Sequence, residues 1–158
     1  MRIGQGVDVH RRSDDPQREL WLGLVRIPGE PGLQGHSDAD VATHALCDAL
    51  LGAASLGDLG RQFPDGDPAT AGIASSRLLA STVSLVHEAG WRAVSADVTI
   101  IAEKPRLSPF MDAMSEALSV AVGAPVSVKA TTAEGLGALG RVRGSVRWLW
   151  HWWRSEHE

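Results

Sequence analysis

One cysteine, Cys47, is present among 158 residues, so the chain cannot close an internal disulfide and is no disulfide-built scaffold. Long apolar runs are missing too. No uninterrupted stretch is long enough to cross a bilayer, and the opening MRIGQGVDVH has no apolar core behind a basic start. A cytoplasmic protein with no membrane association is expected. Excess positive charge is also lacking: the net charge of −4 argues against a broad electrostatic footprint for nucleic acid or anionic lipid. There is no internal repeat and no low-complexity segment. What is present, 44% hydrophobic and 22% charged residues, is the composition of a globular protein, and the length suits one domain over residues 1–158 with a real core.

Gly35 to Gly60, GHSDADVATHALCDALLGAASLGDLG, is the richest stretch, with two histidines and four aspartates. Ser37 reads as an N-cap with Asp40 three residues on, so a helix should start near Asp38. Val41, Ala42, Ala45, Leu46, Ala49, Leu50 and Ala53 recur at helical spacing as its buried face, while Asp40, His44 and Asp48 follow at i, i+4 as a polar stripe. Taken alone, His44 is better read as part of a solvated helix face. With His36, Asp58, Asp8 and His10 added, residues suited to metal ligation and proton transfer gather near one helix end.

In chain order, Ile3, Val7 and Val9 form a strand-like segment ending at Asp8 and His10, which point the same way at a spacing of two. A loop follows, then a short strand over Leu20 to Ile27. LGDLG and Phe63 to Asp67 are loop sequences in which an aspartate is either a turn former or a placed carboxylate. A second helix is expected over Ser76 to Ala89, a strand over Val94 to Ala102, and a third helix from Ser108 and Pro109 to Gly123, with Phe110, Met111, Met114 and Leu118 as core. The strand Val126 to Ala130 leads into TTAEGLGALGRVRG, a loop that either holds a phosphate or is a hairpin turn. A final strand, Ser145 to Trp153, places Val146, Trp148, Trp150 and Trp152 on one face, as core or subunit interface. The order ββααβαββ suggests an α+β fold with helices on one face of a mixed sheet.

MRIGQGVDVH, the Gly35–Gly60 stretch, FPDGDP, DVTIIAEKPRLSP and VKATTAEGLGALGR occur in that order, and on these residues the chain resembles the 2-C-methyl-D-erythritol 2,4-cyclodiphosphate synthase family over nearly its whole length. The resemblance implies a two-layer sandwich assembling as a homotrimer with active sites between subunits. It implies cyclisation of 4-diphosphocytidyl-2-C-methyl-D-erythritol 2-phosphate with release of cytidine monophosphate, in non-mevalonate isoprenoid biosynthesis.

By the same resemblance, Asp8, His10 and His44 are zinc ligands, an open set of two imidazoles and one carboxylate. His36 and Thr132 match the transition-state positions, with Ser37 beside the first. Glu134 matches the ligand of a second ion, magnesium or manganese. Asp58, Gly60, Phe63, Pro64, Asp65 and Asp67 match the segments that hold the methylerythritol end. Ala102, Pro105, Arg106, Leu107 and Thr131 match the cytidine and phosphate pocket, with Arg141 also on the substrate. Asp48, one turn after His44, is either a residue orienting the site or a solvated helix acid. Ala133, Gly135, Ala138 and Arg143 depart from the family pattern, as does the tryptophan-rich C-terminus. Two other activities compete: a zinc phosphohydrolase, and a non-catalytic trimer binding cytidine nucleotides.

Overall fold

A computed structural model describes residues 1–64 and 72–136, and the backbone of 149–154. The elements run β1 (Glu19–Leu22), β2 (Val25–Pro31), α1 (Val41–Ala54), α2 (Leu59–Gln62), α3 (Ser75–Glu88), β3 (Ser95–Ile101), α4 (Met111–Val122), β4 (Val126–Thr131) and β5 (Leu149–Arg154). This is a mixed α+β fold with small sheets. β1 and β2 form an antiparallel hairpin, whereas β3 pairs in parallel with β4 and antiparallel with β5. The parallel pair requires a crossover, and α4 supplies it.

Several expectations change. The single strand predicted over Leu20 to Ile27 is two strands, because Gly23 and Leu24 both take positive φ and turn the chain back on itself. The segment Ile3 to Val9 joins no described strand; at Gly4 and Gly6 it lies against α1 instead. LGDLG is not all loop: α2 starts at Leu59, with the Asp58 side chain accepting from the Arg61 amide at 2.8 Å.

The core confirms the periodicity of α1 and shows why its polar stripe was misread. Leu46, Leu50 and their neighbours on α1 join Leu79 and Val86 of α3, Met114 and Leu118 of α4, and Ala96, Val98 and Ile100 from alternate positions of β3 in one cluster. Each fully buried leucine of this kind contributes about 1.5–3 kcal/mol. Asp97, Thr99 and Ile101 leave that cluster on the other face of β3, and the register sets Trp152 and Trp150 opposite Asp97 and Thr99. Val146 and Trp148 lie outside the described residues.

Asp40, expected on a polar stripe, is fully buried. It replaces Ser37 as the N-cap of α1, accepting from Thr43 N at 3.0 Å and from Thr43 Oγ1 at 2.7 Å. Its carboxylate also takes the amides of Gly23 at 2.8 Å and Leu24 at 2.7 Å. One charge thus fixes both the helix start and the hairpin turn, which explains its burial: a buried carboxylate is tolerated when donors saturate it. Among the described residues, no helix is long and apolar enough to cross a membrane.

Candidate active site

The site begins with two glycines. A Cβ on Gly4 would stand 1.9 Å from the Ala49 carbonyl oxygen, and one on Gly6 would stand 1.9 Å from that of Ala45. The N-terminal segment therefore lies backbone to backbone on α1, an approach only glycine permits. Continuing in that direction, the chain brings Asp8 beside His44, near the helix N-terminus. Gly35 does the same for His10, whose Cε1 would lie 2.9 Å from a Cβ there.

Asp8, His10 and His44 converge. Asp8 Oδ2 lies 3.1 Å from His10 Nε2 and 3.1 Å from His44 Nδ1, and the three groups offer ligand atoms all within 4.8 Å of one another. The second oxygen, Oδ1, accepts from the Val9 amide at 2.8 Å. The two rings meet edge to face at 63° with centroids 5.9 Å apart. His10 turns Nδ1 to the Gln34 carbonyl, which accepts a ring proton, and Nε2 faces the Asp8 carboxylate. His44 is buried.

Burial pushes the Asp8 carboxyl upward, but hydrogen bonds with His10 and His44, and their charges, outweigh it and hold the group well below the usual carboxylate range. The Asp8 hydrogen bond holds His10 above its ordinary value, against the opposing effect of burial. The electrostatics are those of a carboxylate that stays ionised between two imidazole rings. The chemistry of this donor set fits a divalent ion: two imidazoles and a carboxylate suit zinc and leave a position for an exchangeable ligand.

Beside the triad is a cavity of about 180 Å3, lined by His10, His36, Ser37, His44, Gly60 and Phe63 among others. Five sequence-predicted residues thus share one space with a sixth, Gly60, from α2. Asp58 stands at the start of α2, and Pro64 follows Phe63 at the surface. A second, open groove of about 620 Å3 is lined by Ala102, Pro105, Arg106, Leu107, Thr131 and Thr132, together with Lys104. The Ala102 amide donates to the Thr131 carbonyl at 2.9 Å, joining the two walls of the groove. Thr132 donates to Glu134, whose φ is +51°. Asp65, Asp67 and Arg141, with Ala138 and Arg143, lie outside the described residues.

Asp48 is half-buried rather than free in solvent. Its carboxylate accepts from the Leu59 amide at 2.7 Å, and burial raises its pKa, an effect partly offset by that amide. It holds the start of α2 and so the cavity wall at Gly60. Sequence reasoning missed Gly4, Gly6 and Glu103. The glycines carried a signal, since they alternate with the strand-like residues that a packed backbone would expose. Glu103 carried none: it accepts from the amides of Ala133 at 2.8 Å and Gly135 at 3.4 Å, and so fixes the loop bearing Glu134.

Fold and donor set together define an α+β protein with three residues, Asp8, His10 and His44, placed so that they could hold a divalent metal ion. The YgbB family model matches residues 1–147, and the chain belongs to that family. It is 52% identical over 147 residues to the 2-C-methyl-D-erythritol 2,4-cyclodiphosphate synthase of Syntrophobacter fumaroxidans, covering 91% of each chain. The synthase of Moorella thermoacetica is 54% identical over 147 residues, covering 91% of this chain and 89% of that one. A solved synthase structure in its CDP-bound form superposes with a TM-score of 0.86 at 33% identity, covering 98% of this chain and 100% of that one.

Gly6→Ala tests the backbone contact that delivers Asp8. The added Cβ forces the segment off α1, so zinc retained after gel filtration should fall sharply and stability should drop by about 1–3 kcal/mol. Elemental analysis showing full zinc, with an unchanged melting temperature, would contradict that role for the glycines.

Proposed function

We propose that this chain catalyses the reaction its relatives are named for: ring closure of 4-diphosphocytidyl-2-C-methyl-D-erythritol 2-phosphate to the 2,4-cyclodiphosphate, with release of cytidine monophosphate. In the cell this is a cytoplasmic step of non-mevalonate isoprenoid precursor synthesis. The observation that carries it is the convergence of Asp8, His10 and His44 on the cavity at His36 and Ser37, in a chain about half identical to curated synthases.

The substrate's 2-phosphate attacks the diphosphate phosphorus nearer the methylerythritol, and cytidine monophosphate leaves. No protein nucleophile is needed. The difficulty is to hold a flexible polyanion in a ring-closing pose while charge builds on phosphate oxygens. Asp8, His10 and His44 would hold zinc, and Glu134 magnesium or manganese; both ions supply Lewis-acid charge neutralisation when bound. His36 and Thr132 donate hydrogen bonds to the oxygens on which charge develops. Asp58, Gly60, Phe63 and Pro64, with Asp65 and Asp67, hold the methylerythritol end. The groove at Ala102, Pro105, Arg106, Leu107 and Thr131 takes the cytidine and its phosphate, and Arg141 pairs with phosphate oxygen. The solved relative in its CDP-bound form supports nucleotide binding by this fold.

The working form is a homotrimer of single-domain, two-layer subunits, with each site shared between neighbours. Two features support the sharing. The triad's cavity and the Thr131–Thr132 groove are separate spaces in one chain. Glu134 and Thr132 are exposed rather than built into the triad's cavity.

Turnover of the diphosphocytidyl substrate, followed by phosphorus NMR, tests the reaction. Cytidine monophosphate and a cyclic diphosphate should appear in equal amounts without incorporation of solvent oxygen. Labelled oxygen in a linear product would make the chain a zinc phosphohydrolase, and binding without turnover would make it a nucleotide-binding trimer.

Co-refolding His44→Ala with Glu134→Ala tests the sharing. Each variant alone should be nearly inactive, while mixed trimers contain one interface with both residues intact and should regain a fraction of wild-type activity. Activity that stays at the level of the separate variants, with subunit exchange confirmed by mass spectrometry, would place the site within one chain.

A further inference from the structure

Ser75, the first residue of α3, is completely buried. Its hydroxyl lies 2.9 Å from His44 Nε2, the ring nitrogen turned away from Asp8. It is also bonded to Asp38 Oδ1, while Asp38 Oδ2 accepts the Ser75 amide at 2.9 Å. A carboxylate only accepts, so the Ser75 proton is committed to Asp38 and the hydroxyl oxygen must accept from the imidazole. Nε2 of His44 therefore carries a proton, which leaves Nδ1, on the side of Asp8, as the nitrogen that gives up its proton to a bound ion. The second hydroxyl near Nε2, that of Ser37 at 3.1 Å, accepts from the Ala39 amide and keeps a proton to donate, so it does not make the choice.

We infer that Ser75, held by Asp38, is the positioning residue that fixes the tautomer and orientation of His44 and so sets the zinc affinity of the triad. It serves His44 as the Gln34 carbonyl serves His10. Partners of this kind raise ligand basicity and hold the ring in place. The inference rests on the zinc assignment of Asp8, His10 and His44 made above.

Zinc competition against a chromophoric chelator separates the two. A wild-type chain that takes up no zinc overturns the zinc assignment and the inference with it. Ser75→Ala removes the hydroxyl but keeps the amide bonded to Asp38, so the start of α3 survives. Its zinc dissociation constant should rise about 10–100-fold, with the far-ultraviolet spectrum of the metal-free protein unchanged. A folded variant with wild-type affinity overturns the inference alone. Long-range proton–nitrogen NMR of the metal-free wild type needs no variant to fold: His44 should carry a proton on Nε2, and an Nε2 without one overturns the inference.

Discussion

Asp8 meeting His44 is the contact on which the site depends, because it ties the N-terminal segment to a helix that begins over thirty residues later. Each partner is brought there by a different device. Asp8 arrives along a segment whose glycines allow it to touch the α1 backbone. His44 arrives on the first turn of a helix whose start is pinned by the buried Asp40. If either device slips, two of the three donors part.

The two aspartates show how environment divides one chemistry into two tasks. Asp40 spends its carboxylate on Gly23, Leu24 and Thr43. Removing it would strand several buried donors, at about 1–3 kcal/mol each. Asp8 remains partly accessible, with one oxygen bonded to the Val9 amide and the other turned between two imidazoles. The first builds the helix start; the second is available to an ion. Cys47, one turn beyond Thr43, is buried in the core, and burial pushes its thiol up to about 12.

Much of this was legible from the chain alone, and the limits have physical causes. The helices over Val41–Ala54, Ser75–Glu88 and Met111–Val122 follow apolar spacing closely, since their buried faces are broad and glycine ends the last of them. The residues themselves gathered Asp8, His10, His36, His44 and Asp58 near one helix end, but the choice of Asp8, His10 and His44 as the ligand set came from the resemblance, because the N-terminal segment and a helix have no fixed spacing in sequence. Asp40 was misplaced because helical periodicity cannot distinguish a carboxylate facing solvent from one saturated by a hairpin sixteen residues earlier. Asp38 and Ser75 meet across thirty-seven positions, a distance at which no local pattern speaks. The split of Leu20 to Ile27 turned on Leu24 accepting a positive φ, a conformation leucine seldom adopts.

Zinc-edge X-ray absorption on the metal-loaded full chain reads the donor set directly. The account predicts a shell of nitrogen and oxygen at about 2.0–2.1 Å with the outer scattering of two imidazoles. A sulfur ligand at about 2.3 Å, or a shell without imidazole, would contradict a centre built from Asp8, His10 and His44.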